Sequence, residues 1–328
     1  MMASDVSIHD PQRRLVDALV GNSQVVLLAA LVILGIGVSL AAPQFASLAN
    51  VIAILRQTAM VMIVGAGMTM LLITAEVDLS VGASLAFVGV VAMDVMNATN
   101  SVAAGVVAGI AFGGFVGLVN GLVVTRLKVN SLIATIGTMM ILQGGVFLYS
   151  REAVQNHHHI AWFVDIGAGY LGPVPVPVVI AAVTFVVFYV LLRHTTLGRY
   201  LYAVGANEKA ARLSGLRTQR LRLFAFVVTG LLVGVAGLIL VSLMNAGQPT
   251  AGRGFELTVI SAVILGGTSL SGGRGTLVGT LLGVLVLKVI DDAIIILQWD
   301  QDLQMVVPGV VLVLATYLDL RRRRANAS

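Results

Sequence analysis

Two acids, Glu76 and Asp78, sit in the string "ITAEVDLSVG", between apolar runs. Carboxylates beside lipid are expensive to bury, so acids there mark proton or ion coupling, or a solute path. Asp78 has a second use, because its carboxylate can accept the backbone N–H of Ser80 or Val81 and cap the next helix. Asn120, Thr135, Thr138 and Gln143 lie within other apolar runs, where they could line a path for a hydroxyl-rich solute or hydrogen-bond between helices. The candidate translocation path is therefore Glu76, Asp78, Ser80, Asn120, Thr135 and Gln143.

Other chemistry has little to stand on. The Gly-rich "GGTSLSGGRGT" lacks the Lys that reaches a nucleotide phosphate in a Gly-x-x-x-x-Gly-Lys-Ser/Thr loop. Neither a His-Glu-x-x-His pair nor a Gly-x-Ser-x-Gly elbow occurs, so proteolysis and acyl transfer have no motif. There is no cysteine, and the adjacent histidines of "NHHHI" point in different directions without a spaced fourth ligand. The expectation is a chain without catalytic residues or a metal site.

The elements that must position these residues are helices in a membrane. Of 328 residues, 58% are apolar and only 11% charged, with 36 glycines, which excludes an ordinary soluble protein. Ten apolar runs are candidate spans: 25–40, 51–73, 81–96, 102–124, 131–149, 174–192, 221–243, 255–265, 276–295 and 305–318. The third, eighth and tenth are short, so eight spans plus two re-entrant pieces also satisfy the pattern. The fold class is an all-α polytopic membrane protein. Its expected organisation is a cytoplasmic N-terminal segment 1–24, a transmembrane domain 25–320 and a basic cytoplasmic tail 321–328.

The net charge of +5 is not a nucleic-acid signal, because the basic residues flank apolar runs. With both termini cytoplasmic, sixteen of the twenty Lys and Arg fall inside, the bias expected of a membrane protein. Arg56, Arg151, Arg253 and Lys288 are left outside or in the membrane, and Asp291, Asp292, Asp300 and Asp302 fall outside.

Glycines at 105, 109, 113, 117 and 121 lie on one helical face, a seam that lets two backbones approach closely. Gly275, Gly279 and Gly283 repeat it. Two Gly/Ser interruptions, "VDLSVGASL" and "TSLSGGRGTL", each precede a spanning run, a pairing found in duplicated transporters.

One stretch is hydrophilic: "GRYLYAVGANEKAARLSGLRTQRLR", placed in the cytoplasm by charge as part of a segment of about 193–220. Its core predicts a short helix, with Asn207 as N-cap, Glu208 in the first turn, Arg212 near the end and Gly215 in the left-handed position beyond it. So short a helix is marginal alone and needs a surface. Small Ala210 and Ala211, with Leu213, suit a protein groove better than lipid insertion.

At these residues the chain resembles a known family, the permease subunits of bacterial ABC importers for monosaccharides of the ribose, xylose and arabinose group. The strings that carry it are "VDLSVGASLAFVGVVA", "VNGLVVTRLKVNSLIATIGTM", "TTLGRYLYAVGANEKAARLSGL" and "GQPTAGRGFELTVISAVILGGTSLSGGRGTLVGTLLG". The resemblance implies a multi-pass protein of the bacterial inner membrane. Its implied partners are a second permease copy or paralogue, a cytoplasmic ATPase that holds ATP and Mg, and a periplasmic or tethered sugar-binding protein. "GANEKAARLSG" matches the family's coupling segment, which implies contact with the ATPase for Gly205, Asn207, Glu208, Ala210, Ala211, Arg212 and Gly215. "ELTVISAVILGG" is similar to arabinose-type members and tilts the expectation toward pentoses. The chain departs from the family at Ala75, Glu76 and Val77, where small residues are usual, so Glu76 either alters the path or pairs with a basic neighbour.

Arg56, Arg253, Asp291 and Asp292 are candidate docking charges for the binding protein, since complementary rims guide association. Two other transport classes stay open: an ABC permease for branched-chain amino acids, and a secondary transporter that couples ions through Glu76 and Asp78.

Overall fold

The computed structural model of the protein describes residues 23–157 and 161–327. Nearly all of the segment 1–24, with Arg13 and Arg14, lies outside the described residues, as do His158 and His159 and the side chains of the basic tail.

A helix forms at each of the ten apolar runs, and three short helices join them. In chain order the first five are α1 (Ser23–Ala41), α2 (Leu48–Ile73), α3 (Val81–Thr99), α4 (Val102–Thr125) and α5 (Ser131–Tyr149). Then come α6 (Ala161–Ala168), α7 (Val176–His194), α8 (Thr196–Ala206), α9 (Glu208–Leu213) and α10 (Thr218–Met244). The last three are α11 (Phe255–Leu265), α12 (Leu277–Ile296) and α13 (Leu303–Ala327). Two pairs of two-residue strands are the only sheet among the described residues.

Seven helices, α1 to α5 with α7 and α10, are long and apolar enough to cross a membrane. The chain is an all-α polytopic membrane protein. α12 has the length but carries Lys288, Asp291 and Asp292. α11 has only 11 residues, about 16 Å of helix, half of a hydrocarbon core of roughly 30 Å. It enters the bundle without crossing it by itself.

α2 and α10 form the centre, with residues 61–73 of α2 wholly buried. α1, α5 and α7 turn apolar side chains outward, among them Ile33, Ile141 and Val186. In lipid these side chains need no cover, and packing rather than hydrophobic burial joins the helices.

That packing explains the glycine seam. α10 makes its broadest interface with α4. A Cβ at Gly113 would press on the Gly230 carbonyl, and one at Gly117 on the Phe226 carbonyl. Gly105 instead accommodates Ala92 and Met96 of α3. The second series serves α11 against α12, where Gly279 meets the Gly266 backbone and Gly283 the Ala262 carbonyl. Gly275 is the exception, since it faces Thr268 of its own loop.

Candidate functional site

The two Gly/Ser interruptions meet at one end of the bundle. The turn 74–80 follows α2, and the loop 266–276 follows α11. Gly273 N–H donates to the Ile73 carbonyl at 2.8 Å, which joins them directly. The end of α8 lies across this junction. Gly205 packs so closely on Ile73 and Gly273 that a Cβ there would strike both backbones, and Tyr202 Oη donates to the Gly275 carbonyl at 2.7 Å. Gly205 is thus a packing residue within the chain.

From this base α9 projects. Asn207 Oδ1 accepts the Ala210 N–H at 3.0 Å, and Gly215 follows the helix at φ 85°, where a side chain is strained. α9 has six residues, too few to hold itself in water. It is held by Ala211, which is buried against the chain itself, whereas Ala210 is exposed and Leu213 is 90% exposed. One side of α9 is thus occupied by the chain's own helices, and of the two alanines it is Ala210 that is exposed.

Glu208 holds α9 to α10. One carboxylate oxygen accepts from Arg212 Nη2 at 2.6 Å and from Thr218 Oγ1 at 3.2 Å, and the other pairs with Arg222 Nη2 at 3.0 Å. Burial pushes the Glu208 pKa upward, but Arg222, Arg212 and Thr218 outweigh it and hold the group below the ordinary value of 4.5. Arg222 also reaches the turn 74–80, its Nε lying 3.1 Å from Glu76 Oε1. The Nε–H is not aimed at that oxygen, so this contact is an ion pair without hydrogen-bond alignment. The expected basic neighbour of Glu76 is therefore Arg222, which sequence reasoning did not single out. An unexplained acid at 76 and the arginines at the start of an apolar helix, Arg220 and Arg222, were the available signal.

A cavity of about 430 Å³ opens beside these groups, lined by Glu76, Lys128, Asn130, Glu208, Arg212 and Arg222. Both signs of charge face it, and it lies at the end of the bundle that carries α9.

Deeper in, Asp78 is buried and fully engaged. It accepts from Ser80 N–H at 2.8 Å, from Ser80 Oγ at 2.6 Å and from Asn120 Nδ2 at 3.2 Å. Thr138 Oγ1 donates to Asn120 Oδ1 at 2.6 Å, and the Leu79 N–H donates to Thr135 Oγ1 at 3.1 Å. The turn is thereby fastened to α4 and α5. Five of the six candidate path residues thus lie around one turn: Asp78, Ser80 and Asn120 in a closed network with Thr138, Thr135 on the Leu79 N–H, and Glu76 at the mouth. Gln143 is apart, beside Phe147, Gly252 and Arg253 in a cavity of about 310 Å³.

The four candidate docking charges do not form one rim. Asp291 and Asp292 are buried, paired with Lys288 Nζ and Asn50 Nδ2, both at 2.7 Å. Neither is an exposed charge. Arg56 donates to the Ala168 carbonyl and stacks over Tyr170, while Arg253 is exposed.

The family described as branched-chain amino acid transport system / permease component matches residues 50–316. The chain belongs to this family. Among its relatives, the ribose import permease protein RbsC of Escherichia coli (strain K12) is 38% identical over 303 residues, 90% of this chain and 93% of that protein. The ribose import permease protein RbsC of Bacillus subtilis (strain 168) is 39% identical, with 89% of this chain and 91% of that protein covered. The L-arabinose ABC transporter permease protein AraH of Azospirillum brasilense is 40% identical, with 87% and 84% covered. The matched region includes every residue of the site described above.

Proposed function

We propose that this chain is the membrane permease subunit of an ATP-driven importer that moves a monosaccharide, a pentose by its relatives, across the bacterial inner membrane. The observation that carries this reading is similarity over about nine-tenths of the chain to permeases named for ribose and for arabinose. The chain is a transport subunit and not an enzyme. In this reading ATP and Mg belong to a separate cytoplasmic ATPase, a sugar-binding protein delivers the solute from outside, and a second permease copy or paralogue completes the pore. Both termini face the cytoplasm, flanking a membrane domain of residues 25–320, and α11 dips into the membrane as a re-entrant piece.

α9, within the segment 193–220, is the contact for the ATPase, presenting Ala210, Arg212 and Leu213. Nucleotide must favour one permease state over another for transport to occur, and the junction of α8, the turn 74–80 and the loop 266–276 is where movement of α9 would enter the bundle. Arg253 is retained as a docking charge, with the cavities beside Gly252 to Gly254 forming the outer part of the path.

The family's description also covers branched-chain amino acid permeases. The relatives named for ribose and for arabinose favour the sugar. Membrane vesicles containing the chain, its ATPase and its binding protein test the class: pentose uptake that requires ATP supports it, and uptake of L-leucine instead overturns it.

A further inference from the structure

The turn 74–80 is held from two directions. On the inside, Asp78, Ser80, Asn120 and Thr138 form a closed hydrogen-bonded network. On the outside, the turn carries Glu76, whose carboxylate faces Arg222. Ala75, immediately before Glu76, sits at φ 62°, a left-handed conformation that disfavours any residue with a Cβ. A strained residue next to a charged contact describes a segment that its surroundings hold in place.

Arg222 is the side chain that pairs with both Glu76 and Glu208. The guanidinium is a rigid planar fork, so its two contacts cannot move independently. Glu208 has Arg212 of α9 and Thr218 of α10 as further partners and therefore keeps its hold on α10 beside Arg222. A displacement of α9 must then either draw Arg222 and Glu76 along or part Glu76 from Arg222. The misaligned, buried Nε–H is the weak point of the arrangement, because a small rotation of the guanidinium would aim it at Glu76.

We propose that Arg222 is the positioning residue that transmits movement of α9 to the turn 74–80, with Glu208 as its fixed partner and Glu76 as its released or tightened one. The proposal rests on the reading of α9 as the ATPase contact.

The chain has no cysteine, so single reporter thiols can be introduced cleanly. Lys209→Cys reports on α9 and Val77→Cys on the turn, each labelled with a maleimide in inside-out vesicles from cells that produce the whole importer, with and without ATP and vanadate. In the otherwise unaltered chain nucleotide should change both labelling rates roughly fivefold. With Arg222→Gln, and separately with Glu76→Gln, the response at position 209 should persist while that at position 77 disappears; Arg222→Lys, which keeps the charge, should restore part of it. A response at position 77 that survives both neutral substitutions overturns the proposal. No response at position 209 in the unaltered chain overturns the ATPase contact itself, so the two failures are distinct.

Discussion

The Arg222 guanidinium lies 3.1 Å from Glu76 and 3.0 Å from Glu208, and so ties a turn between two buried helices to a short helix outside the bundle. Glu76 and Arg222 are 8% and 19% exposed, so water screens the pair only partly. Breaking a buried pair by removing one partner is expensive, because the other charge is left stranded.

Replacing Arg222 by Ala should destabilise the permease by about 3 kcal/mol, read as a lower midpoint of thermal unfolding in detergent. Glu76→Ala in the same background should add much less than it does alone, since the charge it removes is already unpaired. Additive effects would show that the two residues do not interact.

The seam between α4 and α10 has no room for side chains. Gly117→Val should abolish accumulation of monodisperse protein, because its Cβ would meet the Phe226 carbonyl and Gly230. Gly137→Ala on α5, where nothing lies within 4 Å of the added carbon, should leave the size-exclusion profile unchanged. Equal tolerance of both would remove the packing explanation.

How far the sequence could be read follows from the same seam. A spacing of four within one helix fixes which face is small, so the close approach was legible without knowing the partner helix. The positions of all ten apolar helices and the capping of α9 by Asn207 were legible for a like reason, because each depends on neighbours in the chain. The direction of Ala211 was not, since a helix of six residues has too few positions to mark an apolar face. Asp291 and Asp292 looked like an outer rim from their place near a helix end. Their partners Lys288 and Asn50 show that proximity to an end does not mean exposure. The pairing of Glu76 with Arg222 and of Asp78 with Asn120 joins distant segments, which no local pattern encodes.

Glu208 gives α9 a pH dependence of definite sign. Its pKa in the folded chain is below the ordinary 4.5, so its contribution is present above that value and is lost as pH falls through the depressed pKa. Protease cleavage near α9 should therefore be slow at neutral pH and accelerate only in acid. Glu208→Gln should flatten this profile; acceleration on raising the pH would give the opposite sign.

The two alanines of α9 separate folding from coupling. Ala211→Trp should destabilise the chain by about 1 to 3 kcal/mol, because its site is already filled. Ala210→Trp, on the exposed side, should leave thermal stability unchanged and lower ATP-driven uptake. Normal uptake with Ala210→Trp would remove α9 from the contact with the ATPase.

Uptake of radiolabelled D-ribose and L-arabinose into proteoliposomes, with and without the ATPase and binding protein and with ATP or an ion gradient as the energy source, tests the central claim most directly. The account requires accumulation of a pentose only when ATPase, binding protein and ATP are all present. Accumulation driven by an ion gradient through this chain alone would contradict it.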